Sequence, residues 1–126
     1  MPPGRAREVF WDRGFTGTSL DNLSAATELN RPSLYGAFGD KEELYIDTLE
    51  AYRRDSLDLM DKMLDPALPI RRNIANVYDG ALEIYLHGAL GPRGCFLIGT
   101  ATAEAIQHPR VREVLGQSLR DFDGKI

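Results

Sequence analysis

Helix-starting residues divide the first third of this chain into segments long enough only for brief helices. Thr18 or Ser19, then Asn30, then Asp40, each stand just ahead of a helical stretch, roughly one short helix apart. A side-chain oxygen at such a position accepts from the free N–H groups of a helix's first turn. Gly14 closes an earlier helix over Arg5 to Arg13, as glycine does where a backbone must leave the helix. Leu20, Leu23 and Ala26 recur every three residues and give the second helix its inner side. The third begins at Asn30, with Pro32 in its first turn, where a missing N–H costs nothing, and buries Leu34 and Phe38. Two short helices joined by a tight turn form a unit that can lay its second helix in the major groove of DNA.

The later punctuation is also helical. Asp40, with Glu42 and Glu43 favouring the positive end of the helix dipole, starts a long fourth helix over residues 41–64. Tyr45, Leu49, Tyr52, Leu59 and Met63 form its apolar stripe, and Pro66 and Pro69 close the segment. Ile70, Ile74, Val77, Ala81 and Ile84 predict a fifth amphipathic helix ending near Gly88, followed by the loop GALGPRG. Residues 95–105 are nearly uncharged and read as a buried helix, with a strand over CFLI as the alternative. Pro109 starts a last helix with Val111, Leu115 and Phe122 inward. The fold class that follows is all-α.

Composition narrows the classes of function. With 43% hydrophobic and 27% charged residues the chain can bury a core, yet no apolar run nears the ~20 residues of a membrane span. The start, MPPGRAREVFWDRG, has neither the apolar segment nor the cleavage site of a signal peptide. Cys95, the single cysteine, excludes an internal disulfide and fits a reducing cytoplasm, the expected location. Fifteen basic against nineteen acidic residues leave a net charge of −4, where nucleic-acid binders usually show a basic surface. Up to Lys41, however, Arg5, Arg7, Arg13, Arg31 and Lys41 balance Glu8, Asp12, Asp21, Glu28 and Asp40. A neutral head on an acidic body is compatible with DNA reading, because binding depends on which charges face the phosphates.

The run TSLDNLSAATELNRPSLYGAFGDKEELY, with Gly14-Phe15 before it, resembles the N-terminal domain of the tetracycline-repressor (TetR/AcrR) family of bacterial regulators. The resemblance implies a three-helix reader over 1–46 and an incomplete helical regulatory domain over 47–126. It implies a double-stranded DNA operator as partner, an unidentified small-molecule effector, and a homodimer where the C-terminal helices are present. Part of the first helix and those C-terminal helices are expected to lie outside these 126 residues. DNA contact falls on Thr18, Ser19, Asn30, Arg31, Pro32, Ser33, Tyr35 and Lys41. Chemically, Arg31 can give a bidentate pair to guanine O6 and N7. Tyr35 can offer a hydroxyl to a backbone phosphate. Lys41 puts an ammonium where the helix dipole opposes it, a placement that a bound phosphate would explain.

One departure from the family pattern is physical. The turn between the second and third helices usually carries Ala-Gly-Val, and here it is Thr27-Glu28-Leu29. Glycine suits that turn because the backbone passes through positive φ, a conformation that costs other residues roughly 1 kcal/mol. By the same resemblance a ligand pocket lies among the later helices, near Tyr78, Tyr85, Cys95, Phe96 and Ile98. No catalytic constellation, cofactor motif or metal-ligand spacing is expected: His87, Cys95 and His108 match no zinc pattern. The competing reading is a shortened helical protein acting only through protein–protein contacts.

Overall fold

The computed structural model describes residues 2–87 and 92–125, with side chains from residue 4 onward. Among them there are helices and turns and no strand. Helix α1 (Pro2–Arg13) begins three residues earlier than the sequence suggests. It ends at Gly14, whose φ of 75° turns the chain while its N–H donates to the Phe10 carbonyl at 2.7 Å. Helices α2 (Leu20–Thr27) and α3 (Arg31–Phe38) follow, each eight residues long. Ser19 caps α2: it accepts from the Asn22 N–H at 3.0 Å, and Asn22 Oδ1 accepts in return from the Ser19 N–H at 2.9 Å. Asn30 caps α3 by accepting from the Ser33 N–H at 2.9 Å.

Helix α4 (Lys41–Met63) is the spine. Asp40 caps it, accepting from the Glu43 N–H at 2.8 Å. Its first half is buried on several sides, with Leu44, Tyr45, Ile46, Thr48, Leu49 and Tyr52 all inside. The boundary at residue 46 suggested by the sequence falls within this unbroken helix. Helix α5 (Ile70–Tyr85) lies against the second half of α4. The 95–105 segment is helical rather than extended: a π-helical turn, Leu97–Ala101, runs directly into α6 (Thr102–Glu104). Helix α7 (Pro109–Lys125) packs on α4 and places Val111, Val114 and Leu115 in the core.

A chain of aromatic rings holds the two ends of the molecule together. Tyr45 from α4 meets Phe10 at 5.0 Å and Phe15 at 4.9 Å between ring centres. Tyr52, two turns on, meets Trp11 at 5.0 Å and Phe96 at 5.5 Å. Tilted and edge-on rings at these spacings add to the gain from simple burial. Phe10, Tyr45 and Phe96 are fully buried. Polar contacts reinforce the junction: the Trp11 indole donates to the Gly94 carbonyl at 2.9 Å, and the Tyr45 hydroxyl to Thr100 Oγ1 at 2.9 Å.

Helix α5 departs from the expected picture. Its apolar period is as read, but none of its residues is buried. Ile70 is 77% and Ile74 50% exposed, because only the Val77, Ala81 and Ile84 side faces the rest of the chain. The predicted end of this helix near Gly88 and the first half of the GALGPRG loop lie outside the described residues; the helix stops at Tyr85. No helix among the described residues is long and apolar enough to cross a membrane.

Candidate nucleic-acid interface

Helix α3 buries only Leu34; its other side chains point outward or sit at the margin. Arg31, Pro32, Ser33, Tyr35, Gly36 and Ala37 are all exposed, and Phe38 is partly packed against the core. The cap residues Ser19 and Asn30 lie exposed at the two helix starts. Proline, glycine and alanine leave this surface nearly flat, so little side-chain bulk stands between the helix and an approaching groove. Leu20, Leu23, Leu34 and Phe38 are packed beneath it, as their spacing suggested.

Arg31 does not extend freely into solvent. Its Nη2 donates to Asp21 Oδ1 of α2 at 2.8 Å, and that hydrogen bond raises the guanidinium pKa above its ordinary value. The side chains are 56% and 82% exposed, so the pair is a surface ion pair of the weak kind. An approaching base edge or phosphate would compete with a single exposed carboxylate. Tyr35 is 43% exposed. It borders a small crevice with Leu20, Leu23 and Lys41, at the seam where α3 meets the start of α4.

Lys41 sits at the first residue of α4 with its ammonium 4.3 Å from the centre of the Phe15 ring. Partial burial there lowers its pKa, against which the Glu104 carboxylate pulls upward. Sequence reasoning missed the surroundings of this lysine. Glu104 accepts from Thr16 Oγ1 at 3.2 Å, and His108 stands between Glu104 at 3.4 Å and Glu42 at 3.5 Å. His108 also packs edge-on against Phe15 at 5.1 Å. Residues 104 and 108 lie far along the chain, and the packing of the π-helical turn against α1 and α4, with α7 against α4, brings them to the head.

Thr18 requires correction. It is 1% exposed, and its hydroxyl donates to the Gly14 carbonyl at 2.6 Å. A hydroxyl committed to stabilising the turn after α1 is not available to a phosphate. Of the two neighbouring candidates, Ser19 is the cap and Thr18 is core. Glu28 has the positive φ expected of this turn, at 60°. Its carboxylate pairs with Arg5 at 2.9 Å on the surface.

Behind the head a cavity of about 530 Å³ opens between α4, α5, α7 and residues 93–99. Of the residues named from sequence, Tyr85, Cys95 and Ile98 lie on its lining. Two other candidates do not. Tyr78 is 68% exposed on the outer side of α5, and Phe96 is buried among the aromatic rings of the core. The missed lining residues include Leu59, Met63, Leu115 and Phe122, whose signal was the second half of the α4 stripe and the inner face of α7. Among the described residues no group of three or more His, Cys, Asp or Glu side chains could hold a metal ion.

Comparison with known proteins agrees with this arrangement. The family model described as bacterial regulatory proteins, tetR family, matches residues 5–48. The repressor ComR of Escherichia coli is 31% identical over 105 residues, 78% of this chain and 47% of its own length. The uncharacterised HTH-type regulator YezE of Bacillus subtilis is 24% identical over 94% of this chain and 61% of its own length. The chain thus spans about half the length of these curated relatives. Among solved structures, E. coli NemR in its reduced form superposes with a TM-score of 0.80 at 21% identity, covering 95% of this chain and 62% of NemR, a likeness of fold alone. A cysteine mutant of the TetR family regulator CifR, solved with 26-bp double-strand operator DNA, is 31% identical with a TM-score of 0.68. That match covers 97% of this chain and 71% of CifR. The likeness therefore extends from the head through the helices behind it, and the chain belongs to the TetR family of bacterial regulatory proteins.

Proposed function

We propose that this chain is a sequence-specific DNA-binding transcriptional regulator, acting as a repressor released by a small molecule. The observation that carries the reading is α3 itself: a capped helix that buries one residue and exposes Arg31, Pro32, Ser33, Tyr35, Gly36 and Ala37 together. CifR, a relative with the same architecture, carries operator DNA in its structure. The reader corresponds to residues 1–46 and the regulatory part to 47–126. Arg31 leaves Asp21 to read a base edge, while Ser19, Asn30, Ser33, Tyr35 and Lys41 position the helix on phosphates. A homodimer sets two such helices in successive major grooves about 34 Å apart. A ligand in the cavity favours a conformation with a different spacing and so releases the DNA.

Fluorescence anisotropy with duplex from the chain's own upstream region, measured across a salt series, tests the proposal. The expected result is preference over random duplex and an affinity that falls steeply with salt. Arg31→Ala is expected to remove roughly 1–3 kcal/mol of that preference while leaving weak, salt-sensitive binding. Flat salt dependence without preference would favour a protein that acts through protein contacts alone.

A further inference from the structure

The cavity behind the head has mainly apolar walls, with Ser56 and Ser118 among them, and one polar corner. Leu59, Met60 and Met63 of α4 face Val77 and Ala81 of α5, with Leu119 of α7 closing one side. At the corner the Tyr52 hydroxyl donates to Cys95 Sγ at 3.6 Å, and the Tyr85 phenol shares the site. Burial raises both phenols above their ordinary value, Tyr85 to about 12, so at neutral pH both are uncharged donors. Among the described residues Arg93 is the one charged group on the lining; two carboxylates already match its charge through Nη1, while its Nε is buried without a partner. Its guanidinium stacks 3.6 Å from the centre of Trp11 and pairs with Glu8 and with Asp12. An anion entering this space would lose its hydration and meet a guanidinium whose charge Glu8 and Asp12 already match, and a cation would meet no carboxylate on the described lining.

The bond at the corner is a weak one. A thiol sulfur is a poor acceptor, so the Tyr52 donor is held by a partner that a carbonyl-type oxygen can displace at a gain. The two methionines are polarisable and adapt their shape, which suits an aromatic ring. We infer that the cavity takes a neutral, mainly aromatic molecule with one oxygen acceptor, which receives the Tyr52 hydroxyl in place of Cys95 Sγ. The inference rests on reading the cavity as the effector chamber, and it names the chemistry of that effector. The volume of about 530 Å³ lies within the range of small-molecule sites.

Isothermal titration of the whole chain with three matched probes tests it: 4-acetylbiphenyl, biphenyl and biphenyl-4-carboxylate. The ketone is expected to bind about tenfold tighter than the hydrocarbon, the gain of one net hydrogen bond, and at least about tenfold tighter than the carboxylate. Tyr52→Phe is expected to bring the ketone level with biphenyl and leave biphenyl unchanged. Cys95→Ala, which frees the Tyr52 donor, is expected to widen the gap between ketone and hydrocarbon, and it stands alone should the Tyr52 variant fold poorly. Carboxylate binding as tight as ketone binding, a preference that survives Tyr52→Phe, or no binding of any probe would each overturn the inference. Anisotropy with operator duplex on the same preparation, without probe, reports the regulator reading separately. Operator preference with no ketone selectivity would remove only this inference, and the reverse result would remove only the regulator.

Discussion

Glu28 occupies a conformation built for glycine. Its φ of 60° is the only positive value on a side-chain-bearing residue among those described, and it lies in the turn that aims α3. The Arg5 pair is exposed at both ends and offsets little of the backbone cost. Glu28→Gly is therefore expected to stabilise the fold by about 1 kcal/mol, read as a higher urea midpoint at unchanged slope. No gain would show that the turn has relaxed around its glutamate. This position was legible from sequence because a helix-turn-helix fixes where the backbone must reverse. Thr18 and Ser19 were harder to separate. Both carry a hydroxyl suited to capping, and the choice depends on Thr18 Oγ1 reaching back to Gly14, a contact set by the whole turn.

At the scale of elements, α4 and α5 show what periodicity can and cannot say. Both stripes were visible in the sequence. On α4 the stripe is covered from several directions, so Tyr45, Leu49 and Tyr52 are core. On α5 a correct stripe met a single neighbour, leaving Ile70, Ile74, Tyr78 and Leu82 at least half exposed. Tyr78 and Phe96 were named from the family resemblance, which gives the region of a pocket, whereas burial at each position depends on what packs against it. Local stability should follow. Backbone amides of α5 are expected to exchange with solvent at least about tenfold faster than those of the first half of α4, measured by hydrogen exchange and mass spectrometry. Equal protection would mean that something covers the outer face of α5 in solution.

For the molecule as a whole, the aromatic core joins head and body, and its phenols make the junction sensitive to alkali. Burial raises Tyr45 and Tyr85 from 10.0 to about 12, so the folded chain holds these protons more tightly than the unfolded chain does. Their contribution is fully present below pH 10 and is lost as pH rises from there through about 12. The urea midpoint should fall over that window, and Tyr45→Phe should reduce the fall. A variant that tracks the parent chain would remove Tyr45 as a cause. The sequence placed these rings on helices at sound positions. It did not show that Trp11 and Phe96 would meet, because their contact joins chain positions more than eighty residues apart, beyond the reach of any local pattern.

Trp11 is the only indole in the chain, and it lies under Arg93 with its N–H on the Gly94 carbonyl. Both of those partners also form part of the cavity wall. The protein therefore carries its own optical reporter. A molecule in the cavity would lie against the two groups that touch the one tryptophan, so binding is expected to be readable as a change in intrinsic fluorescence without any label.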